Sequence, residues 1–323
     1  MRSGVSPHIP SVPRRSLLIL AFATVCLVWG STYLAIRVAL EGFPPFFIGA
    51  VRFVLAGAAL FALARARGEA VPSRKEWAAS LLAGTLFFVV GNGLVNLAER
   101  SVSSGLVSVL VATMPLWATV FARAFGTAPT GRELAGVGLG LVGVLVLNLG
   151  GDLRASPGGA VLALLAPMGW AMGSVVSQRL PAPPGVMRTA AQMIAGGLAM
   201  LLLSAVTRES FGAPSAGAVF ALAYLCLAGS LAGFTAYSYL LKHTRPAVAT
   251  SYAYVNPVIA VALGVVFAGE RFGLQSAAGA IIVLAAVALV QRRASASRSR
   301  STVAVGSWDE AKRSTTPSST TTT

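Results

Sequence analysis

Ten runs of apolar residues, most of them about twenty positions long, follow one another between residues 17 and 290, and nearly all charged residues fall between them. A hydrocarbon layer about 30 Å thick is crossed by roughly 20 helical residues. A helix satisfies its own backbone hydrogen bonds where no water can do so. The runs therefore predict membrane-spanning helices at 17–39, 44–64, 78–98, 102–122, 133–149, 159–179, 189–206, 216–240, 247–267 and 273–290. The expected fold class is an all-α integral membrane protein.

Composition decides how the net charge of +15 is read. With 55% hydrophobic and 11% charged residues and a mean hydropathy of +0.76, the chain falls far from soluble domains, where about a quarter of residues are charged. Its charge lies between the apolar runs and reads as membrane topology, so no nucleic-acid partner is expected. Cys26 and Cys226 sit within apolar runs, which argues against a disulfide framework. His8 and His243 have no ligand spacing around them, so neither a metal nor a cofactor is expected. The opening PRRSLLILAF has the basic flank of a leader peptide, but its apolar run continues to Leu40 and is read as the first span. Residues 1–13 and 294–323 are polar tails expected to be disordered.

Positive residues gather on the cytoplasmic side of short loops. With the first tail inside, nineteen Lys and Arg fall in cytoplasmic segments against four outside, Arg100, Arg154, Arg208 and Arg271. Both termini are therefore expected in the cytoplasm.

The chain also resembles itself. The segment Ser104–Gly131 carries Pro115 where Pro246–Arg271 carries Pro257, an offset of 142 residues. Trp29 answers Trp170, Gly57 answers Gly197 and Phe125 answers Phe267, at offsets of 140 to 142. Two repeats over 14–152 and 153–293 hold five spans each, and an odd number inverts the second copy. Inverted five-helix repeats are a transporter architecture, with the substrate site near the midplane between them. A small-molecule substrate and the lipid bilayer are the expected partners; nothing in the sequence supports a homodimer.

Ionisable groups inside a membrane are costly and point to function. All ten acids, Glu99 among them, fall in loops, tails or at helix ends. A proton-coupled exporter of cationic drugs calls for a carboxylate deep in a helix, so multidrug efflux ranks second, and transport is expected to run without a pH gradient. Arg52 is the ninth residue of its span, ~13 Å from the outer end. It either offers a fixed fork to a substrate carboxylate or locks helices by pairing with carbonyls, Glu41 or Glu99. Gln192 is its partner position in the second repeat, at an offset of 140. Arg37 lies near an outer helix end and is expected to snorkel.

Asn92 and Asn96 are four apart and share a helix face, expected to point inward. Trp29, Thr32 and Tyr33 on the first span and Tyr237 on the eighth offer rings and hydroxyls, for substrate or for interhelical hydrogen bonds. Tyr252 and Asn256 form another pair spaced by four, and their first-repeat counterparts are Leu110 and Met114. Such a site, polar on one side, suits a small amphipathic solute such as an amino acid.

Three segments, WGSTYLAIRVALEGFPPFFIGAVRF from Trp29, GNGLVNLAERSVSSGLVSVLVATMPL from Gly91 and ATSYAYVNPVIAVALGVVFAGER from Ala249, closely resemble EamA-domain transporters of the drug/metabolite transporter superfamily, most of all its YedA-like branch. The resemblance covers all ten spans. It implies a ten-helix bacterial inner-membrane permease, an exporter of amino acids, related metabolites or drug-like compounds with a central cavity between inverted repeats. Arg52 matches the arginine of the family's second helix and Trp29 its first-helix tryptophan. Asn256 and Pro257, with Glu270, match its ninth-helix signature. The first repeat departs from the family's Gly-Glu ending, because Ala128 stands where Glu270 stands in the second.

The resulting expectation is an exporter of small amphipathic metabolites with no covalent chemistry. Trp29, Thr32, Tyr33, Arg52, Asn92, Asn96, Tyr237, Tyr252 and Asn256 would touch substrate; Pro115, Pro257, Gln192 and Glu270 would be structural or gating residues. An intramembrane enzyme or a lipid scramblase is the remote alternative. The enzyme would need a paired acid and base at membrane depth, and the scramblase a lateral opening.

Overall fold

The computed structural model describes residues 14–102, 104–126, 128–148 and 156–268, with isolated positions between 274 and 289. Glu270 and most of the tenth predicted span lie outside the described residues. The described elements are all helices: α1 (Arg14–Ala39), α2 (Pro45–Ala66), α3 (Arg74–Ala98), α4 (Ser104–Val111), α5 (Met114–Ala124), α6 (Gly131–Asn148), α7 (Pro157–Val176), α8 (Gly185–Val206), α9 (Ala216–His243), α10 (Pro246–Thr250) and α11 (Tyr252–Ala268). Six of them, α1, α2, α3, α7, α8 and α9, are long and apolar enough to cross a membrane. Their outward faces expose Leu20 and Leu27 on α1, Leu202 on α8 and Phe220 on α9, as helices solvated by lipid do.

The predicted spans 102–122 and 247–267 are each broken. The first is α4 and α5, divided at Ala112 and Thr113, where the Thr113 Oγ1 donates to the Leu110 carbonyl at 2.6 Å. Pro115 then sits in the first turn of α5, where its missing N–H costs nothing. The second is α10 and α11, divided at Ser251, whose hydroxyl donates to the Val248 carbonyl at 2.8 Å. Pro257 lies inside α11. Two other spans stay continuous but pass through π-helical segments, Thr85–Gly93 in α3 and Leu225–Ala232 in α9. Wide turns of this kind recur at functional sites.

The helices α2 and α8 pack antiparallel along their lengths. A Cβ on Gly57 would meet the backbone N of Ile194 at 2.9 Å, and one on Gly197 would meet that of Val54, also at 2.9 Å. Each helix is also capped by a carboxylate that follows the other. Glu209 accepts from the amides of Phe46 and Phe47 at 3.0 Å each, at the start of α2. Glu69 accepts from those of Val186 and Met187 at 3.3 and 2.8 Å, at the start of α8. A negative group at a helix N-terminus meets unpaired N–H groups and the positive end of the macrodipole.

Loop contacts sort the connections into two ends of the bundle. At the end that holds Glu69, Arg245 pairs with Glu133 at 2.8 Å, and Arg179 Nη2 donates to the Phe125 carbonyl at 3.2 Å. At the end that holds Glu209, the Ser156 hydroxyl donates to that of Ser101 at 2.9 Å, tying the start of α7 to the segment after α3.

The core between the ends is aromatic. Trp29 and Trp170 meet edge to face with centroids 5.0 Å apart, and Trp29 also meets Phe234, Tyr237 and Tyr252 at 5.3, 5.1 and 4.8 Å. Such edge and tilted contacts are the arrangements that ring quadrupoles favour. The two indoles also lie against glycines of the π-bearing helices: a side chain on Gly91 would collide with Trp170, and one on Gly233 with Trp29.

Candidate functional site

A cavity of about 510 Å3, counting its open mouth, lies beside this aromatic core. Its wall takes Trp29, Thr32 and Tyr33 from α1, Arg52 from α2 and Asn92 from the π-helical part of α3. Tyr252 and Asn256 come from α11, so seven of the nine expected substrate-contacting residues converge there. Met114, Pro167 and Trp170 also contribute.

Arg52 sets the electrostatics of the wall. It is 2% exposed, its Nε donates to the Ser230 hydroxyl at 3.1 Å, and its guanidinium carbon lies 4.7 Å from the centroid of Phe53. Its Nη1 is buried and makes no hydrogen bond. The alternative pairing with Glu41 or Glu99 is replaced by this bond to Ser230, which belongs to the π-helical part of α9. Sequence reasoning missed Ser230; a lone hydroxyl in an apolar run is a weak signal. Trp170 could have been found, because it answers Trp29 across the repeat.

Asn256 is 3% exposed, and its Oδ1 is also buried without a partner. The cavity is thus bounded by one unpaired cationic donor and one unpaired neutral acceptor. Buried polar atoms without partners are costly, and a ligand that brings an acceptor and a donor would satisfy both. Tyr252 directs its hydroxyl to the Met114 sulfur at 3.8 Å, so the polar residue of the second repeat touches the first-repeat counterpart of Asn256.

Asn96, Tyr237 and Gln192 stand outside the cavity wall, and some of the wall residues also hold the scaffold. Asn96 is fully buried and its Nδ2 donates to the Pro45 carbonyl at 3.0 Å, joining α3 to the start of α2. It is not part of the cavity wall that Asn92 joins; Asn92 belongs to the π-helical segment that ends at Gly93, and Asn96 to the α-helical turn after it. Tyr237 is fully buried, and its hydroxyl shares a 2.6 Å hydrogen bond with that of Ser174. The indole of Trp29 donates to the Gly229 carbonyl at 2.9 Å, and Thr32 donates to the Trp29 carbonyl at 2.7 Å. Gln192 is buried on α8.

The fold adds one acid that its sequence position places merely at a helix end. Glu99 follows the last residue of α3, yet is 4% exposed, and both its carboxylate oxygens are buried without a hydrogen-bond partner. Burial pushes this carboxyl well above the usual carboxylate range, and the charge of Arg37 draws it partly back. Position in the sequence could not reveal this, because the helix end is covered by segments distant in the chain.

Six membrane-length apolar helices, two further predicted spans that are broken, one at its middle and one near its start, and a polar-walled cavity beside the breaks define a polytopic membrane protein of the transporter type. The chain belongs to the EamA-like transporter family, which matches residues 16–149 and 157–292, within the drug/metabolite transporter superfamily. It is 41% identical over 270 residues, 83% of this chain and 88% of the relative, to the "uncharacterized inner membrane transporter YedA" of Escherichia coli strain K12. It is 26% identical over 275 residues, 84% of this chain and 93% of the relative, to a "probable terminal-alkyne amino-acid exporter" of Streptantibioticus cattleyicolor. A crystal structure 22% identical in sequence superposes with a TM-score of 0.71 over 86% of this chain and 98% of its own, showing the same fold.

Proposed function

We propose that this protein exports small zwitterionic or amphipathic metabolites such as amino acids by alternating access, through ten spans arranged as inverted repeats over 14–152 and 153–293. The observation that carries the reading is Arg52 Nη1, a buried cationic donor without a partner in the cavity wall. A carboxylate would complete that guanidinium in fork geometry, and the unpaired Asn256 Oδ1 would accept from a substrate N–H. The substrate named for the Streptantibioticus relative is of this chemical kind.

The inverted arrangement is supported by reciprocal contacts. Glu69 and Glu209 are 140 residues apart, as are the Val186 and Phe46 amides that they cap. The π-helical segments begin 140 apart, at Thr85 and Leu225. Each contact recurs with the roles of the repeats exchanged, as a two-fold axis in the membrane plane requires. We place both termini in the cytoplasm of a bacterial inner-membrane protein. The basic loop residues Arg179 and Arg245 share the Glu69 end of the bundle, in keeping with the excess of positive charge assigned to that side.

Multidrug efflux is the second reading, favoured by the indoles of Trp29 and Trp170 at the cavity, whose faces suit organic cations. Counterflow in proteoliposomes with a panel of amino acids and cationic dyes separates the two. Uptake of amino acids alone supports the first reading, and uptake of dyes alone replaces it with the second.

A further inference from the structure

Glu99 carries an inference that neither the cavity nor the family supplies. Its two buried oxygens lack partners, whereas other carboxylates of the fold are engaged: Glu69 and Glu209 on helix amides, Glu133 on Arg245. An ionised carboxylate in that position would lose its hydration with no hydrogen bond in exchange, a cost of several kcal/mol or more. The neutral acid avoids it.

The surroundings contain one means of stabilising the charged form. Arg37 on α1 acts on Glu99 electrostatically but stands beyond ion-pair distance, its side chain exposed. Tyr33, one turn earlier on α1, is buried, stands where it would feel a charge on Glu99, and lines the cavity. The helix α7, packed against the end of α3, has no titratable residue over Pro157–Val176. On α2, the titratable residues are Arg52, held by Ser230, and Arg65 in its last turn. Arg100, next to Glu99, is exposed.

We propose that Glu99 is a proton-carrying site of the transport cycle, protonated in this conformation and ionised when α1 and α3 move so that Arg37 closes on it. In that step the O–H bond of the Glu99 acid breaks, the proton passes to water at the exposed Arg37 side, and the carboxylate accepts hydrogen bonds from the guanidinium. Rearrangement at Tyr33 reaches the cavity wall, so occupancy of the cavity and the protonation state of Glu99 are linked through α1. On this proposal transport responds to a pH gradient, the opposite of what the acids' sequence positions suggest. The role in a cycle rests on the transporter reading; the protonation state itself does not.

Infrared difference spectroscopy of the full-length protein in lipid, titrated with acid and base, tests the site without any substrate. The wild type is expected to keep the carbonyl band of a protonated carboxylic acid at pH 7, and E99Q to lose it. R37Q is expected to move the midpoint of that band upward by about one pH unit or more, because it removes the opposite charge. A wild type without the band at pH 7, a band that persists in E99Q, or a midpoint unmoved in R37Q would overturn the assignment. In proteoliposomes loaded with mixed amino acids, an imposed proton gradient should change efflux several-fold in the wild type and not in E99Q. Equal responses in the two would overturn the coupling. Absence of any amino-acid efflux, with the infrared result intact, would sink the substrate reading and leave Glu99 a proton site.

Discussion

The Nε of Arg52 donates to the hydroxyl of Ser230 at 3.1 Å, a bond between residues 178 apart in the chain that fixes a buried guanidinium at the cavity wall while its Nη1 makes no hydrogen bond. Side chain and partner come from different helices, α2 and the π-helical part of α9. Any relative movement of these helices therefore repositions the charge. The relationship makes Arg52 both a strut and an unfilled donor, and these roles are separable by substitution.

Arg52→Ala is expected to abolish transport in proteoliposomes while the protein still inserts and elutes as a single folded species. Arg52→Lys should also fail, because an ammonium keeps the charge but not the fork that reaches Ser230 and a substrate together. Transport at the wild-type rate in Arg52→Ala would remove Arg52 from the site.

Asn96 and Asn256 should respond oppositely to leucine. Asn96→Leu leaves the Pro45 carbonyl without its 3.0 Å donor in the core and should cost about 1–3 kcal/mol of stability. Asn256→Leu removes an acceptor that already lacks a partner, so stability should hold while substrate affinity falls. Thermal unfolding alongside counterflow distinguishes the two effects, and equal destabilisation would argue against a cavity role for Asn256.

The two cross-caps should be equivalent and independent. Glu69→Ala and Glu209→Ala each remove a carboxylate from a helix N-terminus, a loss of about 1–2 kcal/mol. The sites lie at opposite ends of the 22-residue α2, about 33 Å apart, so the double variant should show the sum. Strong non-additivity in melting temperatures would show that the α2 and α8 pair does not behave as a rigid unit.

Glu99 should make stability depend on pH with a definite sign. Its folded carboxyl holds its proton to higher pH than the unfolded chain does, so the native state binds more protons above about pH 4.3. Stability is then fully present below that pH and declines as pH rises toward the folded value, by up to about 1.4 kcal/mol per pH unit. Melting temperatures of wild type and E99Q between pH 4 and 8 should converge at the acid end and separate above it, E99Q being the more stable. Parallel curves would mean that Glu99 is ionised in the folded protein.

Much of the site was legible because its residues are costly in lipid. Arg52, Asn92 and Asn256 stand out against apolar neighbours, and the fold brings all three to one cavity. Tyr237 and Asn96 stand out equally, yet one bonds to Ser174 and the other to the start of α2. A polar side chain in a membrane helix must turn away from lipid; which inward neighbour it meets depends on helices that the local sequence does not specify.

The sequence by itself determined that the chain is built of membrane-length helices, that its halves are related, and which family it belongs to, since hydropathy period and repeat offset are properties of order along the chain. Tertiary structure alone decided that Ser230 holds Arg52, that Glu69 and Glu209 cap each other's helices, and that Glu99 at a helix end is buried. Those facts depend on distance and desolvation in three dimensions, and the contacts of Ser230, Glu69 and Glu209 reach residues 117 to 178 positions away, which no local pattern marks.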